Sequence, residues 1–123
     1  MSKIVTAINA MISNSQLITN VVQGDMENEC FFMYDKKHVW SIIENRQSHF
    51  FLHYYPGQQN SESLAAIPGE HWQDADIHSV VYTSEVLGTK EAIDSLKELN
   101  SVVKEKLFGM DRVLDDIINT GIV

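Results

Sequence analysis

The sequence predicts an α+β domain, with helices laid on an antiparallel four-stranded sheet in two layers, in the order α-β-β-β-β-α-α. Three observations predict it. Apolar residues recur at helical spacing near the start of the chain and again beyond residue 90. Between those stretches, three short runs rich in aromatic and β-branched residues follow one another across short polar links. A fourth such run ends just before the second helical stretch. The 123 residues fit one domain, 1–123, and a hydrophobic content of 44% is enough for a core.

The first helix is expected over 3–22, where Ile4, Val5, Ile8, Met11, Ile12, Ile18, Val21 and Val22 recur three and four apart. Ser13-Asn14-Ser15 interrupts that pattern and is a place for a break or a second cap. Gly24 sits where a stop is expected. An acidic connector, 25–29, leads into strands over 29–35, 38–44 and 49–55, joined by Lys36-Lys37 and by Asn45-Arg46-Gln47-Ser48. Links this short and polar make an antiparallel meander. Pro56-Gly57 ends it. Residues 58–75 read as a long loop, in which SESLAAI forms a helical turn and Pro68-Gly69 a turn after it. Residues 76–84 make the fourth strand. Thr89 caps a helix over about 90–108, whose stripe is Ala92, Ile93, Leu96, Leu99, Val103 and Leu107. Gly109 ends it. Asp111 caps a last helix, closed by Gly121, with Val113, Leu114, Ile117 and Ile118 expected to face inward.

Alternation along the strands, with even-numbered loops between them, sorts the side chains onto two faces. Phe31, Met33, His38, Trp40, Ile42, His49, Phe51, His53 and Tyr55 fall on one. Cys30, Phe32, Tyr34, Val39, Ser41, Ile43, Phe50, Leu52 and Tyr54 fall on the other, which is the more apolar and the better candidate for the core under the helices. The first face mixes large apolar groups with histidines, so something is expected to cover part of it: a helix, a second copy, a protein partner or a ligand.

The net charge of −8 argues against nucleic acid, whose phosphates need Lys and Arg. No Lys or Arg occurs between Arg46 and Lys90, while Glu62, Glu70, Asp74, Asp76, Glu85 and four of the five histidines fall there. Such a surface suits docking of a basic protein. No apolar run approaches the ~18 residues of a membrane span. The chain opens Met1-Ser2-Lys3 without a charged-then-apolar leader, and its single cysteine, Cys30, has no disulfide partner. A reducing, cytoplasmic location is therefore expected.

No stretch specifies a chemistry. His49 and His53 are four apart in HFFLHYYPG, which on a strand separates them by roughly 13 Å, too far to share a metal ion. A cross-strand pair of His38 with His53 needs a two-residue turn at Asn45-Arg46, and no third ligand accompanies it. No metal and no cofactor is expected. Cys30 enters an apolar strand beside acids, which is the setting of a core cysteine rather than a nucleophile. Asp115 and Asp116 are adjacent on a helix and read as its solvated side. Asp74-Ala75-Asp76 lacks the glycine and the distal glutamate of a calcium loop. Nothing supports an enzyme, and no catalytic residue is assigned.

In layout, an N-terminal helix, a strand meander and a C-terminal helix in a small acidic chain resemble the acidic chaperones of bacterial type III secretion, and that resemblance implies a homodimer. In size and charge the chain is also similar to the small immunity proteins that neutralise bacterial toxins. The leading expectation is accordingly a non-enzymatic protein-binding domain. Asp74 and Asp76 would steer a basic partner, and Trp40 and Phe51 would anchor it. The second is a small-ligand-binding or sensing domain, its pocket between the meander and the 56–75 loop, with His38, His53, Tyr55 and Trp72 near the mouth. An acidic mimic of nucleic acid is a third.

Overall fold

The computed structural model describes residues 2–25, 28–57, 60–68, 71–72 and 77–121. Among the described residues five strands form one antiparallel sheet in the order β1-β2-β3-β4-β5, with helices, so the domain is α+β as the sequence predicts, with one strand more than expected. Helix α1 spans Lys3–Ser13. Strands β1 to β4 span Ile18–Gln23, Glu29–Tyr34, His38–Glu44 and Phe50–Tyr54. A short α2 follows at Ser61–Ala65, then β5 at Val80–Thr83, α3 at Ser84–Leu87, α4 at Lys90–Leu107 and α5 at Met110–Gly121.

The extra strand comes from the segment read as the second half of the first helix. Ser2 caps α1 by accepting a hydrogen bond from the Val5 N–H, and the helix stops at Ser13, where the Asn14 side chain and backbone both donate to the Ala10 carbonyl. Short polar side chains that bond the backbone favour such ends. A 3₁₀ turn, Ser15–Leu17, then feeds β1. The pairing of β1 with β2 is broken between Thr19 and Val22, where Asn20 sits at φ 55° in the left-handed region that asparagine tolerates. This bulge puts Ile18 and Val21, three residues apart, against the same core. Helical spacing is thereby reproduced in a strand.

The predicted sorting of the sheet faces holds for β2 and β4 and fails for β3. Tyr34 pairs with His38 and Glu44 with Phe50, so three and five residues separate the paired ends, not two and four. The first link turns through Asp35 and Lys36, both at φ 54°. In the second, the Asn45 side chain accepts from the backbone N–H groups of Gln47 and His49. Odd spacing reverses the phase. His38, Trp40 and Ile42 therefore share a face with Cys30, Phe32, Leu52 and Tyr54, while Val39, Ser41 and Ile43 lie with Phe31, Phe51, His53 and Tyr55.

One face is packed by α1 and α4. Ile8, Met11, Leu96, Leu99 and Val103 meet Cys30, Phe32, Ile42, Phe50 and Leu52 there, all buried. Helix α4 matches its predicted span closely, with the Thr89 hydroxyl accepting from the Ala92 N–H. Ile93, expected in its stripe, is exposed. On the other face α2 packs over β1 and β2, and Leu64, Trp72 and Ile77 join Phe31, Met33, Val39 and Tyr55 in a smaller core. Among the described residues, the rest of that face borders a pocket.

Helix α5 departs from expectation. Gly109, at φ 63°, turns the chain away after α4, and no α5 side chain is buried. Val113, Leu114, Ile117 and Ile118, expected inward, are 44%, 47%, 60% and 57% exposed. Amphipathic spacing defines an apolar face without determining what covers it.

Candidate functional site

The open part of the second face is a pocket of about 520 Å³, within the usual range for small-molecule sites. Its wall over β3 and β4 is Ile43, Phe51, His53 and Tyr55; Glu29 from β2 and Trp72 from the segment after α2 complete it, with Asn45, Ile77 and Ser79 at the rim. Each strand residue is there because the register requires it. Ser41 lies opposite His53 and Ile43 opposite Phe51, all on the side away from α1 and α4.

Three aromatic rings pack together at one end. Trp72 stacks on Phe31 with ring centres 5.9 Å apart, and Tyr55 lies 5.7 Å from Phe31 and 6.0 Å from Trp72. The Trp72 indole N–H donates to the Ile67 carbonyl at 3.2 Å, which fixes the ring. His53 stacks flat on Tyr55 at 6.1 Å.

Beneath the rings runs a buried polar chain. The Ser41 hydroxyl donates to the Glu29 carboxyl at 3.4 Å. Ser41 and Tyr55 hydroxyls lie 2.8 Å apart, and with the Ser41 proton directed to Glu29, Tyr55 is the donor. Burial pushes the Glu29 carboxyl above the ordinary carboxylate range, against the lowering effect of the Ser41 hydrogen bond. Burial also raises the Tyr55 phenol strongly; the Ser41 hydrogen bond opposes this and the neighbouring Glu29 charge adds to it, so the phenol remains a proton donor. Burial lowers His53, favouring its neutral imidazole.

Gly24 closes over this carboxyl. Its N–H donates to the Glu29 carbonyl at 2.9 Å, and a Cβ placed on it would sit 2.7 Å from the Phe31 ring and 2.9 Å from a Glu29 carboxyl oxygen. Only glycine allows that approach.

The sequence-predicted residues do not form one site. Phe51, His53, Tyr55 and Trp72 come together in the pocket. His38 and Trp40 lie on the opposite face, in a separate apolar groove of about 390 Å³ beside α1, where His38 Nδ1 is 3.2 Å from the Tyr54 hydroxyl. His38 thus does not stand opposite His53, and Trp40 and Phe51 do not face a common partner. Asp74 and Asp76 lie outside the described residues. His49 sits in the β3–β4 turn, with Nδ1 2.5 Å from a Glu85 carboxyl oxygen. Among the described residues no group of three or more His, Cys, Asp and Glu side chains is placed to hold a metal ion. Cys30 is buried in the main core, and burial is the chief cause of its raised thiol pKa. Glu29 and Ile43 are lining residues that the sequence reading did not assign to a site. Glu29 has the same strand phase as Phe31 and Met33 on the mixed face, which is the signal that would have found it.

Among the described residues, no helix is long and apolar enough to cross a membrane. No protein family, curated protein or solved structure matches the chain.

Proposed function

We propose that the protein is a small-ligand-binding domain whose site is the pocket over β3 and β4. The observation that carries this reading is that Glu29 and Tyr55, linked beneath the surface through the Ser41 hydroxyl, both line a largely apolar cavity whose other polar lining residues are His53, Asn45 and Ser79. An apolar cavity with a few placed polar groups is the usual form of such a site. Among the described residues no Lys or Arg lines it, so an anion finds no cationic side chain there. The acceptor at Glu29 suits a compact, flat, uncharged or cationic ligand that brings an N–H to the carboxyl while its body lies against Phe51 and Trp72.

The test is titration with a panel of bicyclic aromatic amines and the matching carboxylates, followed by Trp fluorescence and by NMR shifts of the pocket residues. Saturable binding of amines, with shifts at Phe51, His53 and Tyr55 and at least tenfold weakening in Glu29→Gln, is expected. Absence of saturable binding by any amine, or equal binding of amines and carboxylates, would overturn the reading.

A protein-binding role remains a second reading, carried by the net charge of −8. In that case the basic partner, such as a toxin, would meet an acidic surface, with Trp40 and Phe51 serving different contacts. Salt-dependent association with a basic partner, slowed by charge reversal at Asp74 and Asp76, would distinguish it.

A further inference from the structure

Glu29 opens β2 at the end of an acidic connector, where a carboxylate ordinarily lies in water. Strand phase puts it instead on the face of Phe31 and Met33, and it is only 6% exposed. A carboxylate taken out of water needs a counter-charge or several hydrogen-bond donors. The side-chain donor at Glu29 is the Ser41 hydroxyl, at 3.4 Å. Among the described residues, no Lys, Arg or His forms an ion pair with it. Burial and that hydrogen bond act on its carboxyl in opposite directions, and burial outweighs the bond.

The other titratable groups around Glu29 bring no positive charge to it. Tyr55, joined to it through Ser41, is a neutral phenol, and burial favours the neutral form of His53 on β4. Cys30, next along β2 and on the opposite face, keeps its thiol proton, and Lys104 of α4 acts on Cys30 from that side. Across β1, Gly24 is followed by Asp25, an exposed acid. His71 and His78, beside the lining residues Trp72, Ile77 and Ser79, are exposed. The counter-charge for an ionised Glu29 must therefore come from outside the chain.

We infer, on the basis of the ligand-binding reading above, that the pocket exchanges a proton for a cation: a planar organic cation enters, the Glu29 carboxyl gives up its proton to solvent, and the net charge of the site is unchanged. Glu29, Ile43 and Phe51 stand in one cross-strand row. That row sets Glu29 and Phe51 about 10 Å apart at the backbone, a span that suits two fused rings. The ring faces of Phe51, Tyr55 and Trp72 favour a cation over a neutral ligand of the same shape. An amidinium or guanidinium group fits best, because its coplanar N–H groups match a carboxylate.

The test is calorimetric titration of the full chain with naphthalene-2-carboxamidine, whose amidinium stays charged from about pH 5 to about pH 8. Paired buffers that differ in heat of ionisation count the protons released. Release is expected to approach one proton per cation toward the acid end. Affinity is expected to rise with pH by up to about tenfold per unit, levelling once Glu29 is already ionised in the free protein. The neutral isostere, naphthalene-2-carboxamide, is expected to show neither effect. Glu29→Gln is expected to release no proton and to bind the amidine at least tenfold more weakly at about pH 8. Three results overturn the inference and leave ligand binding standing. One is amidine binding without proton release at any pH. Another is release that persists in Glu29→Gln and so belongs to His53. The third is an amide bound as tightly as the amidine at about pH 8. Absence of saturable binding by any amine defeats the ligand-binding reading itself, and this inference with it.

Discussion

Ser41 is the hub of the polar chain beneath the pocket, and its removal should be felt more than its size implies. The residue is fully buried, and its hydroxyl is the shared partner of the Glu29 carboxyl and the Tyr55 phenol. Ser41→Ala leaves two nearly buried polar groups without that partner. Each such group costs about 1–3 kcal/mol, and pocket water brings the sum to the lower end, about 2 kcal/mol. Tyr55→Phe costs less, about 1 kcal/mol, because Ser41 keeps Glu29. In the Ser41→Ala background the phenol is already stranded, so deleting it is close to neutral. The double variant is therefore expected to cost about 2 kcal/mol rather than the additive sum of about 3 kcal/mol, a coupling of about 1 kcal/mol.

Urea unfolding at neutral pH, read by tryptophan fluorescence, measures all three variants, and an unchanged m-value licenses the comparison. Additivity within about 0.3 kcal/mol would mean that the two hydroxyls do not act as one network. A Ser41→Ala cost under about 0.5 kcal/mol would mean that water replaces the hydroxyl fully, and the argument for a pre-arranged polar chain would fall.

Glu29 and Gly24 give two further expectations. The folded state holds the Glu29 proton more tightly than the unfolded chain, because burial raises this carboxyl. Stability should therefore decline as pH rises from the ordinary carboxylate value through the raised folded value, then level off. Glu29→Gln should remove that decline: its urea midpoint should exceed the wild type's at about pH 7 and match it at about pH 3, and a constant difference at both would refute the linkage. Gly24→Ala should press on the Phe31 ring and the Glu29 carboxyl, at the 2.7 Å and 2.9 Å approaches found there. An expected loss of about 1–3 kcal/mol in urea unfolding, with altered Trp72 emission, checks it.

The sequence made legible what depends on long, regular patterns. Helix α4 shows a cap at Thr89 and an apolar stripe over several turns, and its span was readable within one residue. The aromatic runs of β2, β3 and β4 were readable as strands for the same reason. What was hidden depends on single residues. One bulge at Asn20 gave β1 the spacing of a helix, and two odd-length turns reversed every side chain of β3. Of the four residues expected at the pocket mouth, His53, Tyr55 and Trp72 do come together, because His53 lies on β4, Tyr55 just past it and Trp72 in the segment that folds onto it. His38 went to the other face with β3, and Phe51, expected as a protein anchor, joined the pocket instead. Glu29 was missed because an acid at the end of an acidic connector reads as solvated. Its burial depends on Gly24 and Phe31 closing over it, and only tertiary contact produces that.

The two faces of the sheet also argue for what the pocket is for. The face under α1 and α4 is filled by apolar side chains, which is what stability alone asks of a small domain. The other face could have been closed in the same way, since Phe31, Met33, Val39 and Leu64 already form a second core there. Instead it places a carboxyl, a serine hydroxyl and a phenol, all nearly or fully buried, where each must find a hydrogen-bond partner or destabilise the fold. Packing does not explain that arrangement, because replacing such a chain with apolar groups of the same shape is often neutral or stabilising. The proposed ligand-binding role would account for it, since Glu29 and Tyr55 line the cavity. Glu29→Gln separates the alternatives. A variant that gains stability at neutral pH and loses ligand binding places the carboxyl in recognition. One that loses stability at neutral pH makes Glu29 part of the scaffold and removes this support for the ligand-binding reading.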